Sequence, residues 1–257
     1  MLHRKRFGQH FLQDKNVIQN IVNAIAPQKN DVLVEIGPGR GALTLPLLQH
    51  VKTLHAIELD RDLIPILEKQ CEGKGNLIVH QADALEFDLA ELIENKKMLR
   101  VCGNLPYNIS TPLIFHLLDY AKNISDMCFM LQKEVVDRLA AKPDTEHYGR
   151  LSVMTQYHCK ITALFDVSPT AFFPQPNVIS SIVRFVPYQP LPFVAKDYKL
   201  FETIVREAFN HRRKTIRNSL KKIIRDETWA QVNIDPLLRP ETLSVEEFVK
   251  LSNGSDA

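Results

Sequence analysis

Asn104-Leu105-Pro106-Tyr107 sets an amide side chain, backbone carbonyls and an aromatic ring side by side, inside the stretch Gly103 to Asn108. Such a set suits recognition of a flat base bearing an exocyclic amine: oxygens accept the amine hydrogens and the ring offers a stacking face. The plainer alternative is a turn in which Asn and Pro reverse the chain and Tyr packs. What favours the chemical reading lies upstream. Gly37, Gly39 and Gly41 form a GxGxG turn, and glycines let backbone approach a ligand closely at a helix N-terminus. The pattern is not the GxGxxG of dinucleotide binders. Glu58 stands about twenty residues beyond that turn, where a carboxylate accepts hydrogen bonds from both ribose hydroxyls; the alternative is a solvated loop acid. Asp60 is suited to cap the next helix. Asp83, in Gln81-Ala82-Asp83-Ala84, can accept from the amino group of an adenine.

Those residues need a scaffold that brings them to one edge. Val32 to Ile36, Thr53 to Ile57, Leu77 to His80, Met98 to Cys102 and Met127 to Leu131 read as buried strands. Helix-like runs separate them: Ala42 to His50, Arg61 to Cys71 and Pro112 to Tyr120. Alternation of this kind predicts an α/β fold with a mostly parallel sheet, whose ligands sit at the carboxyl ends of the strands. Three ligand-facing groups on three consecutive strand tips describe a Rossmann-like nucleoside-binding half-sheet. Ahead of it, Asp14 caps a helix carrying Val17, Ile18, Ile21, Val22 and Ile25, which Pro27 ends.

Gln132-Lys133-Glu134 leads into another helix, and Tyr148 to Ser152 starts the next. Ile161 to Val167 and Ser180 to Val186 read as a closing strand pair. Between them Phe172-Phe173-Pro174 sits in a proline-stiffened loop; each phenylalanine either stacks on a base or plugs the core. Pro187 to Pro192 reads as a linker, so residues 1–187 form one domain and 188–257 a second, helical one. Its predicted helices are Tyr198–Phe209, Thr215–Ile224 and Val245–Leu251. Between Arg206 and Arg225 the basic residues Arg206, Arg212, Arg213, Lys214, Arg217, Lys221, Lys222 and Arg225 face Glu207 as the one acid. That density suits a phosphate backbone, although basic helix faces are often only solvated. The same pair of readings holds for the arm His3-Arg4-Lys5-Arg6.

The bulk figures narrow the class. Net charge is +2 over 257 residues, with 45% hydrophobic and 24% charged, ordinary for a globular protein with a sizeable core. The four cysteines lie far apart without a CxxC pair, which fits small core residues in a reducing compartment, not a disulfide framework or a metal site. No apolar run is long enough to span a bilayer, and Met1 to Lys15 lacks a signal-peptide core. A cytoplasmic protein without membrane or metal is the expectation.

FGQHFL, VEIGPGRGALT, IELDRDL, QADA, GNLPYNIS, FMLQKEV, YGRLSV, FxPxPxV (Phe172 to Val178) and NHRRKTIRNSL resemble, in order and spacing, the ribosomal RNA adenine dimethyltransferases, over roughly residues 4 to 250. The likeness is to the bacterial small-subunit branch, which dimethylates two adjacent adenosines near the 3′ end of 16S rRNA. The resemblance implies a Rossmann-like class I methyltransferase fold, a seven-stranded sheet with a small C-terminal helical domain, and S-adenosylmethionine as methyl donor. It implies that Gly37 lies in the turn around the methionine part, that Glu58 holds the ribose and Asp83 the adenine amino group. Asn104 would sit where cofactor and target base meet. The arm would contribute through His10 and Leu12, with His10 standing where the family usually has Asn. The partner would be 16S rRNA in the small ribosomal subunit, met by a monomer.

Adenine N6 is a poor nucleophile because its lone pair is delocalised. Acceptors on its two hydrogens favour a pyramidal nitrogen and point the pair at the sulfonium methyl. The Asn104 side-chain oxygen and the Leu105 carbonyl are the predicted acceptors, with Pro106 fixing the turn and Tyr107 stacking on the flipped base. Phe172 or Phe173 would close the opposite face. Two rival readings remain: a methyltransferase for DNA adenine or a small amine, and a non-catalytic ribosome-assembly or transcription factor that keeps the fold as an RNA-binding module.

Overall fold

The structure, a computed structural model, describes residues 10–93, 97–210 and 214–255. The basic arm from His3 to Gln9, and Arg212 and Arg213, lie outside them. The chain forms two compact units: 1–136 with 161–187, and 137–160 with 188–257.

The first unit opens with β1 (Phe11–Leu12) and α1 (Lys15–Ile25). Asp14 caps the helix by accepting from the Asn16 and Val17 N–H groups at 2.8 and 3.1 Å. Ala26, before Pro27, takes the left-handed conformation that ends it. There follow β2 (Val32–Ile36), α2 (Thr44–Leu47), β3 (Thr53–Glu58), α3 (Ile64–Cys71), β4 (Asn76–Gln81), β5 (Leu99–Asn104), α4 (Ser110–Asp119) and β6 (Ile124–Gln132). The helix expected over Ala42 to His50 shrinks to α2. Pro46 carries no N–H to continue the ladder, so the flanks wind on as turns. Then come α5 (Lys133–Leu139), α6 (Arg150–His158), which belongs to the second unit, β7 (Cys159–Val167), β8 (Phe172–Phe173) and β9 (Ser180–Pro187).

Seven strands make one sheet in the order β4-β3-β2-β5-β6-β9-β7. The pairs from β4 to β6 are parallel, and β9 enters antiparallel beside β6. The buried runs Leu33-Val34, Leu54, Ala56-Ile57 and Val101-Cys102 fit a sheet covered on both faces. Apart from the large sheet, β1 pairs antiparallel with β8, Leu12 opposite Phe172 and Phe11 opposite Phe173.

The second unit is helical. α7 (Tyr198–Phe209), α8 (Ile216–Leu220), α9 (Asp226–Val232) and α10 (Val245–Ser255) follow one another. α7 buries Phe201, Ile204, Val205 and Ala208, the 3.6-residue stripe its sequence carries. Tyr157 of α6 packs on Phe201, ring centroids 4.7 Å apart. The expected boundary after residue 187 therefore leaves out part of this unit: 137–160, including α6, belongs to it. α6 presents Leu151, Val153, Met154 and Tyr157 as buried side chains, an apolar surface that needs a helical partner.

Candidate active site

The parallel register carries successive strand tips to one edge. Glu58 pairs opposite Gln81 at the ends of β3 and β4, and β5 runs out at Asn104. Gly103 is what lets β5 lie so close to β2, since a Cβ there would stand 2.3 Å from the Ile36 carbonyl oxygen. A cleft of about 400 Å³ opens at this edge, lined by His10, Leu12, Gly37, Glu58, Asp83, Asn104, Leu105, Pro106 and Tyr107. Those are the sequence-predicted positions with one exception, Phe172.

Gly37 turns with φ +66, beyond the ordinary range of a side-chain-bearing residue. Glu58 braces the turn from the next strand: its Oε2 accepts from the Gly39 N–H at 3.0 Å and its Oε1 from the Asp60 N–H at 2.8 Å. Burial raises the Glu58 pKa above the ordinary carboxylate value, and those two N–H groups oppose the rise. Each oxygen retains a further lone pair for a ligand hydroxyl. Asp60 accepts from the Asp62 N–H at 3.1 Å, as a cap of the following turn would. At the tip of β4, Asp83 Oδ1 accepts from the Leu85 N–H at 2.9 Å, which fixes the carboxylate at the cleft.

Beneath the turn lies Glu35, whose Oε2 accepts from the Thr44 hydroxyl at 2.7 Å. Burial pushes its pKa up to about 7; the Thr44 bond works against the rise and the Glu58 charge adds to it. Glu35 lies inside Val32 to Ile36, a run that reads in the sequence simply as a buried strand.

Asn104 Nδ2 donates to the His10 carbonyl at 3.4 Å, an orientation that leaves Oδ1 as the acceptor. The Leu105 N–H donates to Met130 O at 3.2 Å and the Ile109 N–H to Pro106 O at 3.2 Å, so the turn is closed from both sides. Tyr107 stands beside it, its hydroxyl 2.8 Å from Ser180 Oγ.

The arm crosses the cleft at residues 10 to 12. His10 Nδ1–H donates to Pro174 O at 2.7 Å, and the ring stacks loosely on Tyr107 with centroids 6.2 Å apart. That nitrogen is committed within the protein, and the backbone carbonyl is what meets Asn104. Phe11 lies under the Arg40 guanidinium, 4.4 Å from ring centroid to Cζ. Both residues line the cleft, and their i,i+29 separation gave no periodic clue to it.

Phe172 corrects the sequence reading. It is 5% exposed and packs in the core with Leu12, Ala171 and Ile182, while Phe173 is 55% exposed. Alternation along β8 turns neighbours to opposite sides, so only one ring of the pair is exposed, and it is Phe173.

The sequence matches the family Ribosomal RNA adenine dimethylase over residues 1–256. The chain belongs to that family. As a ribosomal RNA adenine dimethylase it is 57% identical, over 254 residues, to the ribosomal RNA small subunit methyltransferase A of Chromohalobacter salexigens, covering 97% of this chain and 90% of the relative. Identity to the protein of the same description from Pseudomonas aeruginosa is 55% over 250 residues, covering 97% and 93%. Among solved structures, a dimethyladenosine transferase from Plasmodium falciparum superposes with a TM-score of 0.82 at 26% identity, covering 94% of this chain and 96% of that one. The 23S rRNA methyltransferase ErmE gives 0.76 at 21%, covering 96% and 100%, a likeness of fold. The architecture is that of the class I methyltransferases, as the strand pattern and the resemblance led one to expect.

The cleft of this dimethylase fits an adenosyl sulfonium on its own chemistry. Two carboxylates at neighbouring strand tips are acceptors of the kind that hydroxyl and amino donors need, and the glycine turn lines the same cleft. Among the described residues no helix is long and apolar enough to cross a membrane.

Proposed function

We propose that this S-adenosylmethionine-dependent ribosomal RNA adenine dimethyltransferase acts on N6 of two adjacent adenosines near the 3′ end of 16S rRNA, in the small ribosomal subunit. The chain works as a monomer, and the reading assigns no role to a metal. S-adenosylmethionine supplies an activated methyl group on sulfur. Glu58 receives its ribose hydroxyls, Asp83 its adenine amino group, and the turn at Gly37 its methionine end, with the arm contributing at His10 and Leu12 through its backbone.

At the reacting nitrogen, the Asn104 Oδ1 and the Leu105 carbonyl accept the two amine hydrogens. That turns the nitrogen lone pair toward the methyl group, and transfer is a direct displacement. Pro106 keeps the two oxygens in register. Tyr107 takes one face of the flipped base, and Phe173, the exposed ring of its pair, closes the other. Positioning of this kind carries much of the rate, because the reactants lose their translational freedom before the chemical step. The unit 1–136 with 161–187 is the cofactor-binding and catalytic one. The basic stretch from Lys214 to Arg225 in the helical unit holds the RNA backbone.

The observation that carries this reading is the shared cleft: Glu58 and Asp83 line it together with Asn104, Leu105 and Tyr107. Mass spectrometry of RNA from undermethylated small subunits, incubated with the enzyme and S-adenosylmethionine, reports base, site and methylation level together. Methyl groups on naked DNA instead, or on no nucleic acid, would overturn it.

A further inference from the structure

Tyr107 is not free to tilt. Its hydroxyl lies 2.8 Å from Ser180 Oγ, contributed by a residue 73 positions later in the chain. Ser180 is 0% exposed and opens β9, where it pairs opposite Gln132 of β6. It is therefore fixed by the sheet itself, not by a loop. On the other side the His10 ring stacks on Tyr107, and His10 is tied to Pro174 by its Nδ1–H. The phenol oxygen lies on the ring's own rotation axis, so the Ser180 bond fixes the first torsion, and with it where the ring stands, while the His10 stack restrains the second.

We infer that Ser180 is a positioning residue for methyl transfer: by holding the Tyr107 hydroxyl it sets where the ring stands on which the target adenine stacks, and so the approach of N6 to the Asn104 and Leu105 oxygens. This rests on the assignment of Tyr107 as the stacking ring. Ser180 touches neither cofactor nor base; it acts through Tyr107 alone. A displaced ring changes where the amine lies more than whether the base enters, so the effect belongs to kcat more than to KM.

The experiment is a double-mutant cycle of Ser180→Ala and Tyr107→Phe, assayed with undermethylated small subunits, with S-adenosylmethionine affinity measured by calorimetry and folding by thermal melting. Ser180→Ala is expected to lower kcat about two- to tenfold, the range spanned by a net hydrogen bond. Tyr107→Phe removes the same bond from its other end and is expected to match it. The double variant should lose no more than either single one, and cofactor affinity should not move. Losses that multiply in the double variant, an unchanged kcat for Tyr107→Phe, or an equal fall in cofactor affinity would each overturn the inference. If Ser180→Ala does not fold, Tyr107→Phe with its kcat and cofactor affinity decides alone. Tyr107→Ala separates the underlying assignment: near-normal turnover there would show that Tyr107 does not stack on the base, whatever Ser180 does.

Discussion

Asn104 has an amide whose two ends do different work. Its nitrogen is held by the His10 carbonyl, and its oxygen is left for the substrate. Asn104→Ala is expected to lower methyl transfer about a hundredfold or more while calorimetry finds S-adenosylmethionine still bound, because the carboxylates proposed to grip the cofactor stand on other strands. Near-normal turnover would remove the acceptor role. Glu35 gives a second prediction, with a definite sign. Burial raises its pKa from 4.5 to about 7, so the folded protein holds a proton that the unfolded chain releases between those values. Stability then falls as pH rises from about 4.5 and levels off above about 7, by about 3 kcal/mol for this group. Glu58 is shifted in the same direction and adds to the slope. Urea denaturation from pH 5 to 8 should therefore find Glu35→Gln gaining on the wild type toward pH 8. A parallel pair of pH profiles would show that Glu35 stays ionised in the fold.

At the scale of elements, what matters is how tightly neighbouring strands hold the tips in register. A methyl at Gly103 would collide with Ile36 backbone, not with a yielding side-chain end. Gly103→Ala is expected to cost about 1–3 kcal/mol in urea denaturation and to lower methyl transfer, since Asn104 is the next residue. The opposite end of β5 has its own anchor. Arg100 contacts Asp126 and Asp31, each at 2.6 Å, and donates to the Ile25 and Ala26 carbonyls at 2.6 and 3.1 Å. The Arg184 guanidinium reaches the Ala24 carbonyl beside them. Together they neutralise the open end of α1, the helix from which the arm departs. Arg100→Met leaves two largely buried carboxylates facing orphaned carbonyls and should cost about 3–5 kcal/mol, read as a lower denaturation midpoint. The strands of this sheet were legible because buried parallel strands are short apolar runs ended by turn residues, and the cleft residues were legible because they follow those ends. Less could be read where partners are remote. Nothing local in Phe172-Phe173 says which ring faces inward; pairing with the arm decides it. α9 was missed because Asp226 to Val232 has only Thr228 and Trp229 buried, too few to set a period. Ser180 carries no pattern at all, its partner being Tyr107 across the sheet.

For the molecule as a whole, the net charge of +2 conceals an uneven distribution. Lys221 and Lys222 are exposed on the helical unit, whereas nearby Arg217 is engaged by Asp226 at 2.7 and 2.9 Å. Replacing Lys221 and Lys222 by Ala is expected to weaken binding to small subunits and to flatten its logarithmic salt dependence by about one unit per lysine. S-adenosylmethionine affinity should be untouched. An unchanged slope between 50 and 200 mM salt, a window of the order used for such measurements, would move the RNA contact elsewhere.

The pairing of Phe11–Leu12 with Phe172–Phe173 also bears on how the protein comes into being. Synthesis delivers the amino-terminal arm first and the strand that receives it far later, so a nascent chain waits with Leu12 uncovered until most of its length has emerged. A prematurely terminated product keeps every glycine and carboxylate of the early strands yet lacks both the seat for its arm and the serine behind Tyr107. An incomplete copy thus emerges without the strand that seats residues 11 and 12 beside the cleft.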